Sequence, residues 1–289
     1  TKTLEVCRFI KEHHDCKIVL GGPEVEYRSK DILEKYRFVD YVLSGEGEVI
    51  FPELVKNIAD NFMIDIKGVT FRKGEQIIVS DGEFVDFEKT VSPYCEEYFE
   101  CLGNRIAYIE SSRGCPFSCA FCLSGRCGKV RFAPIDRVKN EMLILSEMGA
   151  KTIKFVDRTF NCNPKRACEF LSFIKDEYGK NIKSDVCFHF EIAADILTEE
   201  LFDIISQLPV GAVQFEVGIQ SFNEETLKKI NRKTNIDIVE SNVKRLLSFG
   251  NCHVHIDLIA GLTGEDAESF RNSFNIGYSL KAHMIQMGF

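Results

Sequence analysis

The sequence lacks the features that mark several classes of protein. No apolar run approaches the roughly 18 residues that a membrane-spanning helix needs, and no signal-peptide pattern opens the chain. No stripe of lysine and arginine offsets the 44 acidic residues, and the net charge is −8. We therefore expect a protein without a membrane span and without a large nucleic-acid footprint.

A disulfide framework is also lacking. The 12 cysteines of the 289-residue chain fall mostly at irregular spacings through strand-like and helix-like segments. Reduced thiols explain this distribution better than the paired cysteines of a secreted domain, so we expect a cytoplasmic protein. The apolar content of 45% is enough for one large barrel or two modest domains. The chain starts at Thr1 without methionine and stops at Phe289 just after an apolar run, so we expect a piece of a longer protein.

Three of the cysteines do follow a compact pattern. Cys115, Cys119 and Cys122 form a C-x₃-C-x₂-C loop that contains glycine and proline at its start. Three thiolates are too few to close a tetrahedral zinc site or to bind every iron of a four-iron cluster, so a cluster held this way keeps one iron open. Two other interpretations stay open: ordinary buried thiols, or a zinc knuckle that Cys127 closes.

The hydrophobic pattern after the cysteines alternates between two periods. Short apolar segments predict strands at 105–111, 152–157, 187–193, 212–219, 253–260 and 283–289. Segments with helical spacing lie between them, at 135–147, 164–178, 198–207, 223–231, 236–249 and 265–280. This alternation predicts an α/β fold with parallel strands, either a doubly wound sheet or a partial barrel. Ligands bind at the carboxyl ends of the strands in both folds.

The first 85 residues predict a smaller unit of the same class. Predicted helices at 4–14, 31–36 and 51–59 alternate with strands at 17–20 and 39–43, and a β-hairpin follows at 68–79. Gly21, Gly22 and Gly45 lie in two glycine-rich turns after the two strands, where they either admit a ligand or only form tight turns. We predict three parts: a partial Rossmann-like domain at 1–85, a linker at 86–104 and a core domain at 105–289.

The part of the chain from residue 105 onward resembles the radical S-adenosylmethionine (radical SAM) superfamily. The cysteine loop follows a first predicted strand, as in that family. Further segments are similar to the oxygen-independent coproporphyrinogen oxidase branch: Phe190-Glu191-Ile192, Glu216-Val217-Gly218-Ile219-Gln220-Ser221, Ile230-Asn231-Arg232 and Ile256-Asp257-Leu258-Ile259-Ala260-Gly261-Leu262. The resemblance implies a partial (β/α)₆ TIM-like barrel. The first unit resembles the latter part of the cobalamin-binding domain that many of these enzymes carry.

The resemblance also implies an activity. Cys115, Cys119 and Cys122 would ligate three irons of a 4Fe–4S cluster, and the fourth iron would take S-adenosylmethionine. Reductive cleavage of that cofactor would yield a 5′-deoxyadenosyl radical that removes hydrogen from a small or medium organic substrate, followed by methyl transfer, cyclisation or oxidation. An electron donor such as flavodoxin or ferredoxin is implied as a partner.

Roles for individual residues follow from the same resemblance. Phe121 would pack on the adenine side, and Gly218 and Ile219 would present backbone to the adenine. Glu191 would accept hydrogen bonds from the ammonium group of the cofactor, and Arg232 would pair with its carboxylate.

Two strand-end polar residues and one substitute acid complete the implied site. Gln220 and Asp257 would hold the ribose hydroxyls; Asp257 lies in an apolar strand, where an unpartnered carboxylate is costly. The family has a Gly-Gly-Glu-like turn after the second strand, where this chain has Asp157 as the candidate acid.

Several points leave alternatives open. An Asp-x-His-x-x-Gly segment, whose histidine would bind cobalt, is absent from the sequence, so the use of cobalamin stays undecided. A methylthiotransferase-like tRNA modifier has a similar cysteine loop, but we would expect a basic appendage there. A zinc-binding module and a cluster-bearing electron-transfer protein are the remaining alternatives.

Overall fold

The chain divides into two compact units. The structure, a computed structural model, describes residues 1–60, 62, 65–82, 84–103, 105–126 and 129–289. The units are Thr1–Val91 and Ser92–Phe289, so the division falls inside the segment predicted as a linker. Within the described ranges, none of the helices combines the length and the apolar character needed to cross a membrane.

The first unit is a small mixed sheet with three helices. Its elements are α1 (Lys2–His13), β1 (Val19–Leu20), α2 (Ser29–Lys35), β2 (Tyr41–Leu43), α3 (Gly47–Ala59), β3 (Val69–Lys73) and β4 (Gln76–Ile78). The strand order is β1-β2-β3-β4. Strands β1 and β2 are parallel, and β3 and β4 form the antiparallel hairpin that the sequence predicts.

Buried apolar residues and one arginine hold this unit together. Leu33 and Val42 are fully buried in one cluster, and Leu54 is fully buried in another. The guanidinium of Arg72 donates hydrogen bonds to the carbonyl oxygens of Val39, Leu33 and Tyr36, at 2.7, 2.7 and 2.9 Å. These bonds satisfy the carbonyls at the end of α2 and connect that helix to β3.

The second unit begins with a short helix and continues as alternating strands and helices. The elements up to the second long helix are α4 (Glu96–Leu102), β5 (Ala107–Ile109), β6 (Ser112–Arg113), β7 (Arg131–Phe132), α5 (Ile135–Glu147), β8 (Thr152–Phe155) and α6 (Pro164–Glu177). The remaining elements are β9 (Cys187–Ile192), α7 (Glu199–Ser206), β10 (Val213–Gln220), α8 (Glu224–Lys229), α9 (Ile236–Phe249), β11 (His253–Ile259), α10 (Ala267–Ser279) and β12 (Met284–Gly288).

Six of these strands form one parallel sheet in the order β12-β11-β10-β9-β8-β5. Neighbours in this sheet are consecutive along the chain except where the small antiparallel pair β6–β7 intervenes. The fold is therefore α/β with a parallel sheet, as the sequence predicts. All carboxyl ends of the strands lie at the same edge. From the end of β5 the chain continues through β6 into the cysteine loop.

Local signals explain where the helices begin and end. Five helices of the second unit begin after a polar residue whose side chain accepts a hydrogen bond from the backbone N–H three residues later. These residues are Asn163, Thr198, Asn223, Asn235 and Asp266. Gly250 ends α9 with φ = 67°, a left-handed conformation that favours glycine.

The two faces of the sheet differ in polarity. Along β10, alternate residues from Val213 to Ile219 are buried and apolar, and the residues between them are half-buried. The apolar face lies against helices: a Cβ added to Gly277 of α10 would lie 3.4 Å from Ile256 Cδ1. Burial of one large side chain on this face contributes about 1.5–3 kcal/mol. The opposite face of the sheet carries the polar residues.

Two segments differ from the sequence prediction. Helix α4 lies inside the segment 86–104 that was predicted to be a linker. The strand pair β6–β7, with Ser112 opposite Phe132, brackets the cysteine loop and was not predicted. The pair brings the two ends of that loop together, so the loop is held at both ends.

Candidate functional site

Most of the predicted site residues line one cavity of about 160 Å³ at the carboxyl ends of the parallel strands. The predicted residues in its walls are Cys115, Cys119, Phe121, Cys122, Glu191, Gly218, Gln220, Arg232 and Asp257. Phe117, Arg158, Thr159, Ile192, Ala193 and Glu216 complete the lining. Residues from the cysteine loop, three strands and the segment after α8 therefore converge on one volume.

The segment after α8 holds the cysteine loop in place. Asn231 Nδ2 donates to the carbonyl oxygen and to Oγ of Ser118, at 2.9 and 2.8 Å. The backbone N–H of Ala120 donates to the carbonyl of Ile230 at 2.8 Å. Asn231 adopts φ = 54°, which asparagine tolerates better than most residues. These bonds fix the backbone on both sides of Cys119.

Arg232 connects the cysteine loop to the sheet. Its Nη1 lies 3.6 Å from Cys119 Sγ, and its Nη2 donates to the carbonyl oxygen of Gly218. Nε is buried and has no hydrogen-bond partner among the described residues. A buried donor without a partner is costly, so this edge of the guanidinium suits an anionic ligand such as a carboxylate.

Strand β10 ends in a distortion that aims two residues at the cavity. The register with β11 shifts between Gly218, opposite Asp257, and Gln220, opposite Leu258. Gln220 adopts φ = 75°, a strained conformation for a residue with a side chain. A Cβ on Gly218 would lie 2.5 Å from Gln220 Nε2, so the amide of Gln220 packs directly over this glycine.

Carboxylates and cations alternate on the adjacent strands. Lys154 Nζ lies 2.9 Å from Glu216 Oε2 and 3.6 Å from Glu191 Oε1. The hydrogen bond with His189 and the Lys154 ammonium hold the pKa of Glu216 well below its usual range. Burial and the neighbouring Glu216 raise the pKa of Glu191, and burial raises the pKa of Asp257. The latter two carboxyl groups therefore favour a cationic ligand.

Asp157 does not line the cavity, although the resemblance implied that it receives the cofactor. It is 1% exposed and accepts four hydrogen bonds, from the backbone and hydroxyl groups of Ser111 and Ser112, at distances of 2.6–3.1 Å. These bonds connect the end of β8 to the turn between β5 and β6. Asp157 therefore positions the start of the cysteine loop, and its role as a cofactor ligand stays a prediction.

Four other predicted residues lie away from the cavity walls. Ile219 is buried on the apolar face of β10. Gly22 and Gly45, at φ = 95° and 87°, form turns after β1 and β2, and Gly21 lies beside Leu43. The Gly45 N–H donates to Glu26 Oε1 at 3.0 Å. These glycines therefore do form tight turns in the first unit. Cys127, the candidate fourth zinc ligand, lies outside the described residues.

Sequence reasoning missed several polar residues at the site. Thr159 Oγ1 lies 3.6 Å from Cys115 Sγ, and Lys154 and His189 both contact Glu216. The signal for the strand residues was present, because charged residues alternate with apolar ones in β8 and β9. Such an alternation in parallel strands indicates one polar face. The contact of Thr159 depends on the fold of its loop and has no sequence signal.

The remaining described thiols range from buried to exposed, and the two extremes can be compared by labelling. Burial raises the pKa of Cys252 to about 11, whereas Cys95 is exposed. Since the thiolate is the reactive form, we expect iodoacetamide at pH 8 to label Cys252 at least about 100-fold more slowly than Cys95. Peptide mass spectrometry with and without urea measures both rates. Equal rates in the folded protein would contradict the assignment of Cys252 as a buried structural thiol.

Comparison with known proteins identifies the family of this chain. The sequence pattern of the radical SAM superfamily matches residues 109–275. The chain belongs to the radical SAM superfamily. The matched region includes the cysteine loop, the strands β8 to β11 and the Arg232 segment, which are the parts that build the cavity.

Two curated relatives match most of this radical SAM chain. The cobalamin-dependent radical SAM methyltransferase TokK of Streptomyces tokunonensis is 27% identical over 309 residues, which cover 97% of this chain and 43% of the relative. The anaerobic magnesium-protoporphyrin IX monomethyl ester cyclase of Cereibacter sphaeroides is 23% identical over 273 residues, 90% of this chain and 44% of the relative. The chain thus spans less than half the length of either relative.

Solved structures share the fold. The radical S-adenosylmethionine methyltransferase TsrM from Kitasatospora setae, whose structure holds cobalamin and a 4Fe–4S cluster, matches with a TM-score of 0.79 at 19% identity. The alignment covers 99% of this chain and 59% of that chain. The likeness shows that this radical SAM chain shares the α/β fold with a parallel sheet.

Proposed function

We propose that this chain carries the cofactor-binding core of an enzyme that cleaves S-adenosylmethionine reductively at a 4Fe–4S cluster. The observation that carries the proposal is the convergence on one cavity of three cysteines, two carboxylates and an arginine whose buried Nε has no partner in the described part of the chain. When bound, the reduced cluster and S-adenosylmethionine would supply the cleavage of a carbon–sulfur bond and a 5′-deoxyadenosyl radical for hydrogen abstraction.

The residues of the cavity suit both cofactors. Cys115, Cys119 and Cys122 are free thiols in one wall, and three thiolates leave one iron of a cube for another ligand. Arg232 would bind the carboxylate of S-adenosylmethionine, and Glu191 would bind its ammonium group.

The remaining cavity residues would bind the nucleoside part. Gly218 and Ile219 would present their backbone to the adenine, with Phe121 on the other side. Gln220 and Asp257 would accept or donate hydrogen bonds with the ribose hydroxyls. The cavity walls would also exclude water from the reacting atoms.

We also propose the finer architecture. The six-stranded sheet would form a partial (β/α)₆ TIM-like barrel in a core domain at 105–289, preceded by a linker at 86–104. Residues 1–85 would be a truncated Rossmann-like unit of the cobalamin-binding type. The parallel pair β1–β2, with the glycine turns at Gly21, Gly22 and Gly45, supports this assignment.

Cobalamin binding and the reaction outcome are proposed from the relatives. One curated relative is named as a cobalamin-dependent methyltransferase and the other as a cyclase. We therefore propose radical hydrogen abstraction from a small or medium organic substrate, followed by methyl transfer or cyclisation. A flavodoxin or ferredoxin would supply electrons, and a reducing cytoplasm would preserve the cluster.

Arg232→Lys tests the cofactor site separately from the cluster. Lysine keeps the charge but loses the planar pair of donors, so we expect the Kd for S-adenosylmethionine to rise about 10- to 100-fold. Glu191→Gln should produce a loss of similar size. Equilibrium binding to cluster-loaded protein gives the Kd, and iron analysis should show an unchanged cluster.

The matched control is Lys233→Gln. This residue is the next cation along the chain and lines a neighbouring groove. Its replacement should leave the Kd unchanged within about twofold, because a solvated charge at this distance is screened. If Arg232→Lys and Lys233→Gln bind S-adenosylmethionine equally well, the assignment of Arg232 is wrong.

A further inference from the structure

A second group of ionisable side chains lies on the polar face of the sheet, and it reaches from the cavity wall to a level below it. Glu216 pairs in register with His255 on β11, and Gln214 pairs with His189 on β9. His189 and His255 each lie two residues before a carboxylate of the cavity wall, Glu191 and Asp257. Two residues of a strand span about 6.6 Å, so the two histidines lie towards the amino ends of the strands, whereas Glu216 lies in the cavity wall.

Three of these side chains present ligand atoms to one point. The nearest donor atoms of His189, Glu216 and His255 all lie within 4.8 Å of one another. His189 Nε2 is 2.8 Å from Glu216 Oε2. Two imidazoles and one carboxylate form a donor set that Fe(II), Mn(II) and Zn(II) accept in proteins.

His255 provides the second, independent observation. It is 4% exposed, and its Nδ1 is buried without a hydrogen-bond partner among the described residues. Its Nε2 lies 2.9 Å from Asp257 Oδ1. A buried imidazole nitrogen that no donor or acceptor satisfies is costly, whereas a bound metal ion would satisfy it.

The charges around these residues also favour a divalent cation. Three carboxylates, those of Glu191, Glu216 and Asp257, line the cavity wall next to the histidines. Lys154 is the cation that contacts two of them. Arg158 also acts on Glu191. Three carboxylates therefore face two cations, and the excess of negative charge favours a bound cation.

We infer that His189, Glu216 and His255 bind one divalent transition-metal ion on the polar face of the sheet, separate from the iron–sulfur cluster. The ion would keep open coordination positions for water or for an oxygen or nitrogen atom of the substrate. Lys154 would compete with the ion for Glu216. The inference does not rest on the proposed cleavage of S-adenosylmethionine, because none of these three residues is assigned to the cluster or to that cofactor.

Mn²⁺ binding followed by electron paramagnetic resonance tests the site on the full chain. Mn²⁺ prefers oxygen and nitrogen ligands over thiolates, so the cysteine loop does not compete for it. The protein is first treated anaerobically with a chelator and is kept in its oxidised form. We expect the signal of free Mn²⁺ to fall until one ion per chain is bound. His189→Ala and His255→Ala should each raise the Kd at least about tenfold.

Two further variants keep the test decisive if the histidine variants do not fold. Glu216→Gln keeps the volume but loses the charge and should also weaken Mn²⁺ binding at least about tenfold. Lys154→Met removes the competing cation and should tighten binding, which a general loss of structure would not do. His283→Ala is the control: His283 stacks on His253 and accepts a hydrogen bond from the Val254 N–H, and the ring contacts of the described residues do not join it to the three ligands.

Two results would overturn the inference. The first is a folded wild-type chain that binds no Mn²⁺ with a stoichiometry of one. The second is an affinity that the four substitutions at the proposed site leave unchanged, which would show adventitious binding at surface acids. Either result can occur with or without cleavage of S-adenosylmethionine, so the two proposals fail separately.

Discussion

Cys119→Ala is expected to abolish both the iron–sulfur cluster and the cleavage of S-adenosylmethionine. Cys119 is the middle thiol of the loop, is 8% exposed and lies 3.6 Å from Arg232 Nη1. Two thiolates cannot hold a four-iron cube, so the iron content of reconstituted protein should fall from about four per chain towards zero. Formation of 5′-deoxyadenosine under reducing conditions should fall at least about 1,000-fold, because no bound cluster remains to transfer the electron.

Cys168→Ala is the matched control for this experiment. Cys168 is 6% exposed, so the two substitutions change similarly buried residues. Cys168 lies on α6, outside the cavity. The Cys168→Ala variant should keep about four irons per chain and its cleavage of S-adenosylmethionine. Loss of the cluster in both variants would indicate a general effect of cysteine removal. A full cluster in Cys119→Ala would show that the thiols of this loop do not hold it.

Asp157→Ala is expected to have the largest effect on stability. Removal of its carboxylate leaves the backbone and hydroxyl donors of Ser111 and Ser112 without their acceptor in a buried place. We expect the free energy of unfolding to fall by about 3–5 kcal/mol. Urea denaturation of the cluster-free chain, followed by circular dichroism, measures this change. Cluster incorporation should fall as well, because β6 leads directly into the cysteine loop.

Asp185→Ala provides the comparison for Asp157. Asp185 pairs with Lys151 at the surface, where both side chains are more than half exposed. Its replacement should change the free energy of unfolding by less than about 1 kcal/mol. If Asp157→Ala is as mild as Asp185→Ala, the four hydrogen bonds do not support the fold.

The sequence predicted the repeating part of the fold accurately. Helices α5 and α9 have the predicted bounds, because both have helical spacing of apolar residues and clear ends. Helix α4 was missed, since its seven residues are too few to show a period and lie among acidic and aromatic residues. The strands β6 and β7 have two residues each, and their pairing depends on where the loop returns.

The sequence predicted only part of the site, because periodicity shows which residues end a strand but not which distant residues they contact. Strand order places Glu191, Gly218 and Asp257 at neighbouring strand ends, so the sequence period alone brings them near one another. Asp157 also follows a strand, but its direction is set by Ser111, which is 46 residues earlier in the chain. The sequence pattern does not show whether Asp157 faces the cofactor or the distant Ser111. The position of His255 below the cavity could be found only from the register between β10 and β11.

The most direct test of the account is the electron paramagnetic resonance spectrum of the reduced, reconstituted protein before and after S-adenosylmethionine is added. A cube held by Cys115, Cys119 and Cys122 has one iron that the cofactor can reach, so the account predicts about four irons per chain and a changed spectrum on addition. One zinc ion per chain in place of iron, or an iron–sulfur spectrum that S-adenosylmethionine leaves unchanged, would contradict the account.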